Sequence, residues 1–101
     1  MTITRTFDVT ITRRVRINLP DAFDTPEMLA EWCSGLWHIE GVEDIAEYAA
    51  RLAADGSAEY DNDGVGRMVS EIIANHRKEL DPLTVTYSVL SDDVETEQVD
   101  Q

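Results

Sequence analysis

The chain has 101 residues, room for one domain with one modest core, and 43% of them are apolar, so composition alone does not make it disordered. Its 21 acids outweigh 8 Lys and Arg for a formal charge of −13; such a field turns nucleic acid away from most of the surface and favours basic partners. No apolar run approaches the ~18 residues of a membrane span, and the single Cys33 excludes an internal disulfide framework and points to a reducing, cytoplasmic setting.

The charge is uneven. Residues 1–20 carry Arg5, Arg13, Arg14 and Arg16 against Asp8 alone, a balance of +3. The remaining 20 acids face four bases over residues 21–101, a balance of −16. An acidic surface also keeps a small protein soluble, so charge alone does not establish a partner.

Residues 4–19 read as one long strand. Phe7, Val9, Ile11, Val15, Ile17 and Leu19 occupy odd positions, and Asp8, Thr10, Thr12, Arg14, Arg16 and Asn18 even ones. This is period two with β-branched residues throughout. Arg13 interrupts the apolar face, which predicts a bulge there or a point where the sheet outruns the helices. The N-terminus already alternates like a strand and has no apolar h-region, so no secretory signal is expected.

Thr25, Pro26 and Glu27 predict a helix start: an N-cap, a proline at the first position and an acid behind it. Met28, Leu29, Trp32, Cys33 and Leu36 form the expected buried stripe, which makes Cys33 a buried thiol. Residues 40–56 are the clearest helix. Val42, Ile45, Ala49 and Leu52 repeat at helical spacing, Ala46 and Ala53 widen the stripe, and Gly56 ends it. The short link predicts a helical hairpin. A polar loop follows Gly56. A third helix is expected from Val65, with Met68, Val69, Ile72, Ile73, His76 and Leu80 on its apolar side, ending at Asp81 and Pro82. Leu83, Val85, Tyr87 and Val89 then alternate as a second strand.

The predicted fold is α+β in the order β-α-α-α-β: a small antiparallel sheet of two or three strands, with residues 58–60 or a second copy as the possible third, packed by three helices. Residues 1–91 form the single domain, and residues 92–101 are expected to be an acidic disordered tail, because Val94 and Val99 are their only apolar side chains.

No spacing places catalytic groups, so the chain is expected not to be an enzyme. Cys33 and His38 would need hydrogen-bond reach and an orienting third group. His38, His76 and Cys33 lack zinc spacing, and no cofactor is expected. Glu59, Asp61, Asp63 and Gly64 echo a calcium loop, but Ser70 stands where the bidentate glutamate belongs. Gly64, Val65, Gly66 and Arg67 lack the Lys-Ser of a phosphate loop. Arg14 and Arg16 share a strand face with Thr10 and Thr12, better suited to ion pairs with the protein's own acids than to nucleic acid.

The candidate partner-binding surface is the acidic run Glu40, Glu43, Asp44, Glu47, Asp55, Glu59, Asp61 and Asp63, with Trp37 and Tyr60 as aromatic anchors near its ends. Carboxylates spaced along a helix and loop can stand in for DNA phosphates toward a basic groove.

The stretches FDVTITRRVRINL, TPEMLAEW and EDIAEYAARLAADG together resemble small acidic proteins of phages and mobile elements, of the anti-CRISPR type. The resemblance covers residues 7–56, rests on pattern, and carries over no functional residue. It implies inhibition by binding: blockage of a basic nucleic-acid-handling surface, such as that of a Cas effector subunit, in the host cytoplasm, without direct nucleic-acid or membrane contact. The basic first strand departs from a uniformly acidic mimic and favours one acidic face. The alternative expectation is a small homodimeric structural or adaptor protein with no nucleic-acid-related target.

Overall fold

The structure, a computed structural model, describes residues 1–77 and 79–100. Lys78, inside the expected third helix, and Gln101, in the expected tail, lie outside the described residues. Among the described residues the architecture is α+β, with three helices and a three-stranded mixed sheet. The elements run β1 (Thr6–Asn18), a 3-10 turn (Asp21–Phe23), α1 (Pro26–Gly35), α2 (Val42–Asp55), β2 (Val69–Ser70), α3 (Glu71–Asn75) and β3 (Thr86–Val99).

The sheet order is β1-β3-β2. β1 and β3 pair antiparallel from Thr6 opposite Val99 to Asn18 opposite Thr86. Thus residues 92–99 are not a disordered tail. Their alternation of acids with Val94, Thr96 and Gln98 is period two, and every one of them has a partner on β1. The register shifts between Arg14 and Val15, where Leu90 has no opposite residue. The irregularity expected near Arg13 is therefore present, with the extra residue on β3. The third strand is not at residues 58–60. It is β2, which pairs parallel to β3 through Thr86 and Tyr87.

α2 is the helix packed on the sheet. It runs from Val42, beside Ile17 and Leu19, to Asp55, and near its end the Ala54 carbonyl accepts a hydrogen bond from Arg13 Nη1 at 2.9 Å. Ile45, Ala49 and Ala53 are buried along it, and Gly56 closes it at φ 86°. Thr25 Oγ1 accepts from Met28 N at the start of α1. Phe23, Trp32, Ile39, Ala58, Val65, Met68 and Val85 complete the core, against which Val15, Ile17 and Leu19 pack.

Two further expectations need correction. The third helix is one short turn-and-a-half, residues 71–75, because Gly64 and Gly66 adopt positive φ, Val69 pairs with β3 instead, and the Ser70 hydroxyl caps from Ile73 N. Val65 and Met68 are buried, but as loop residues. Cys33 is exposed, not buried. It lies at the border of the α1 stripe, where its thiol donates to the Ile39 carbonyl at 3.4 Å.

Beyond Arg13 the two long strands leave the helices behind. They form a two-stranded arm of about 24 Å, at ~3.4 Å per residue over residues 6–12. The arm explains a radius of gyration of 17.9 Å and extents of 61 × 35 × 21 Å, against ~13 Å for a compact chain of this length.

Candidate functional site

The most chemically diverse surface lies where α1 and α2 meet. Trp32, Trp37 and Tyr48 form a triad of edge-on rings, with centroids 5.2, 5.9 and 5.0 Å apart. Trp32 is buried and anchors the group, whereas Trp37 is 40% exposed. Edge-to-face packing suits the ring quadrupoles and holds the outer rings in place. Trp37, His38, Ile39, Asp44, Glu47, Tyr48 and Arg51 line a hollow of about 410 Å³.

The carboxylates around it are held by local chemistry. Asp44 Oδ2 accepts from Glu40 N at 2.7 Å, which ties the entry of α2 to its first turn. Negative charge there also suits the positive end of the helix dipole. Glu47 pairs with Arg51 at 2.7 Å, one helical turn on, in an exposed contact of small energetic weight. Glu40 Oε1 lies 3.0 Å from His38 Nε2. Asp63 returns to the triad from the following loop: burial first, and then the Asp63 charge, raise the Tyr48 phenol above its ordinary value.

The ten expected partner-binding residues therefore do not form one face. Trp37, Glu40, Asp44, Glu47 and Asp63 gather at the triad. Glu43 borders a separate hollow of about 240 Å³, with Asp21 and Asp24. Glu43 is one helical turn from Glu47 on the same side of α2, but it lines this second hollow, whereas Glu47 lines the one beside Tyr48. Asp55 sits at the far end of α2, about 12 Å of helix beyond Glu47 at ~1.5 Å per residue, where its Oδ1 accepts from Ser57 N. Glu59 accepts from the Tyr87 hydroxyl at 3.4 Å. Tyr60 is 70% exposed and Asp61 exposed.

Tyr48 and Arg51 are functional candidates that sequence reasoning passed over. Tyr48 was legible as the aromatic at the border of the α2 stripe. Arg51 was legible as the sole base between residues 17 and 66.

The other expected chemistry is dispersed. Cys33 reaches Ile39 O and His38 reaches Glu40. The loop bearing Glu59, Asp61 and Asp63 is cross-braced by Asn62, whose Nδ2 donates to Ser57 O and Tyr60 O. Among the described residues no group of three or more His, Cys, Asp or Glu is placed to hold a metal ion. Arg16 pairs with Glu71 at 2.7 Å, a partner within the chain, while Arg14 has no ion pair among the described residues. Among the described residues no helix is long and apolar enough to cross a membrane. Comparisons with protein-family models, curated proteins and solved structures gave no match.

Proposed function

We propose that this chain is a non-enzymatic, acidic interaction protein that docks the hollow at Trp37 and Tyr48 on a basic surface of a protein that handles nucleic acid, as an anti-CRISPR-type inhibitor of a Cas complex would. The observation that carries this reading is the half-exposed Trp37 ring, braced by Trp32 and Tyr48 and bordered by Asp44, Glu47 and Glu40. A Lys or Arg side chain entering there would meet an aromatic ring and carboxylates together. The braced rings lose little freedom on binding, which is how a small site becomes an energetic anchor. The surplus of acid over residues 21–101 adds long-range steering toward a basic groove.

The test is binding of the purified chain to purified Cas effector complexes, at low and moderate salt. Trp37→Ala should weaken binding by roughly 2 kcal/mol, about 30-fold. The combined reversal Asp44→Lys and Glu47→Lys should abolish it while the circular dichroism spectrum is unchanged. Loss of the effector's nucleic acid on capture identifies competition. Binding that ignores both variants and the salt concentration overturns the reading.

A further inference from the structure

The arm carries its own pattern, separate from the triad. On one face lie Phe7, Val9, Ile11 and Val94, between 49% and 63% exposed. On the other lie Asp8, Thr10 and Thr12, opposite Glu97, Glu95 and Asp93. β1 borders β3 on one side, and among the described residues no strand pairs with its outer edge. A long edge strand bearing apolar side chains is a template for another strand.

The charges of β1 indicate which strand. Arg13 is held by Asp92, and Arg16 by Glu71. Asp8 and Arg14 remain. Among the described residues neither side chain has a hydrogen bond or ion pair. Asp8 instead faces the like-charged Glu97 across the ladder, an unfavourable juxtaposition. Asp8 and Arg14 have opposite sign, share one strand face, and stand six residues apart.

We propose that two copies of this chain pair antiparallel through the outer edges of β1, about a two-fold axis at Ile11. In an antiparallel pair of identical strands, residues whose numbers share one sum lie opposite each other. With Ile11 on the axis, Asp8 of each copy meets Arg14 of the other. Thr10 meets Thr12 twice, and Phe7 of one copy covers Val15 of the other. Shifting the axis to Asp8 or to Arg14 sets like charges face to face. Shifting it to Thr12 brings Asp8 to Arg16, already occupied by Glu71. An axis at Thr10 leaves Asp8 opposite a threonine. The Ile11 register alone satisfies both free charges, and it does so twice by symmetry.

The second copy also fits the edge electrostatically. Residues 7–15 of β1 carry Asp8, Arg13 and Arg14, so this is the least acidic border of a molecule of charge −13. The outer edge of β3 carries Asp92, Asp93, Glu95 and Glu97 and repels a like strand. The overlap of residues 7–15 is about 30 Å long. Backbone hydrogen bonds and the apolar face supply the affinity, as in strand addition generally, and the ion pairs set the register.

The experiment is light scattering and sedimentation equilibrium of the full chain at high micromolar concentration. The expected mass is twice the 11.4 kDa of one chain. Asp8→Arg, an exposed change that also relieves the contact with Glu97, should raise the dimer dissociation constant roughly tenfold or more. Asp8→Arg combined with Arg14→Asp should restore it. A wild-type mass of one chain overturns the proposal, as does a dimer indifferent to Asp8→Arg or a double exchange that fails to recover. Neither residue lines the hollow at Trp37, so failure here leaves the basic-partner reading standing, and the reverse holds equally.

Discussion

Gly64 lies against the indole of Trp32. A Cβ on Gly64 would fall 2.5 Å from Trp32 Cη2 and 2.9 Å from Leu36 Cδ1. Gly64 also sits at φ 83°, in the left-handed region that L side chains rarely adopt. The approach lets the loop after α2 close over the buried side of the aromatic triad. Gly64→Ala therefore combines an unfavourable backbone with overpacking against a side chain that cannot move outward. The expected loss is roughly 2–4 kcal/mol of unfolding free energy, read by denaturant titration. Gly35→Ala, which meets nothing within 4 Å, is the control and should be neutral or mildly stabilising.

These elements show what could be read from the sequence. β1, the Thr25 cap and the end of α2 were legible because alternation, capping chemistry and Gly56 are local signals; α2 begins at Val42, two residues later than read, because Gly41 supplies no capping side chain. The arm half of β3 was not. Residues 92–99 bury no face, so hydrophobic patterning had nothing to report there, and their partner lies some eighty residues away on β1. The third helix was overread because Met68, Val69, Ile72 and Ile73 fit a helical stripe, while Val69 in fact follows the tertiary pairing with Thr86. At the candidate site, the acids around Trp37 were legible as a run. The separation of Asp55 and Glu59 from that group was not, because it depends on where α2 ends and on the contact of Glu59 with Tyr87.

The cap on α1 gives a second prediction. Thr25 has extended backbone and its hydroxyl accepts from Met28 N at 3.2 Å. Thr25→Ala leaves that donor without its partner at the helix end carrying Trp32. It should cost about 1 kcal/mol, seen as a lowered thermal midpoint, with Thr25→Ser restoring most of it. A midpoint unchanged by the alanine would mean that Pro26 at the first helical position suffices to start α1.

Arg13 joins arm to body. Its Nε and Nη2 donate to both Asp92 carboxylate oxygens at 2.8 and 3.0 Å, and Nη1 donates to Ala54 O near the end of α2. The forked geometry matches a carboxylate better than a single contact could, and the hydrogen bonds from Arg13 lower the Asp92 pKa. Arg13→Gln removes the fork and the tie to the helix. Amide hydrogens of residues 93–99 should then exchange faster than in the wild type, while those near Ala49 change little. Uniform exchange rates across both variants would assign the ordering of the arm to the strand ladder alone.

The opposite face of β1 supplies a pH signature. Glu71 accepts from Arg16 Nε and Nη2, with 2.7 Å for the latter, and from Asn18 Nδ2 at 2.9 Å. Arg16 first, and then Asn18, pull its carboxyl from the ordinary 4.5 down to about 2. Its folded-state value is depressed, so the unfolded chain binds this proton more readily. The stabilisation is complete above 4.5, declines as pH falls below it, and is gone once pH passes through about 2. Asp92 is shifted in the same direction by Arg13 and adds to the loss at acid pH. Denaturation midpoints measured from neutral pH downward should therefore fall more steeply in the wild type than in Glu71→Gln, which has no carboxyl there to protonate. Parallel profiles would mean that the contact persists in the unfolded chain or contributes nothing. In the Glu71→Gln variant, the residual slope should then be reduced further by Asp92→Asn, because the two carboxylates belong to separate ion pairs on β1 and their effects should add.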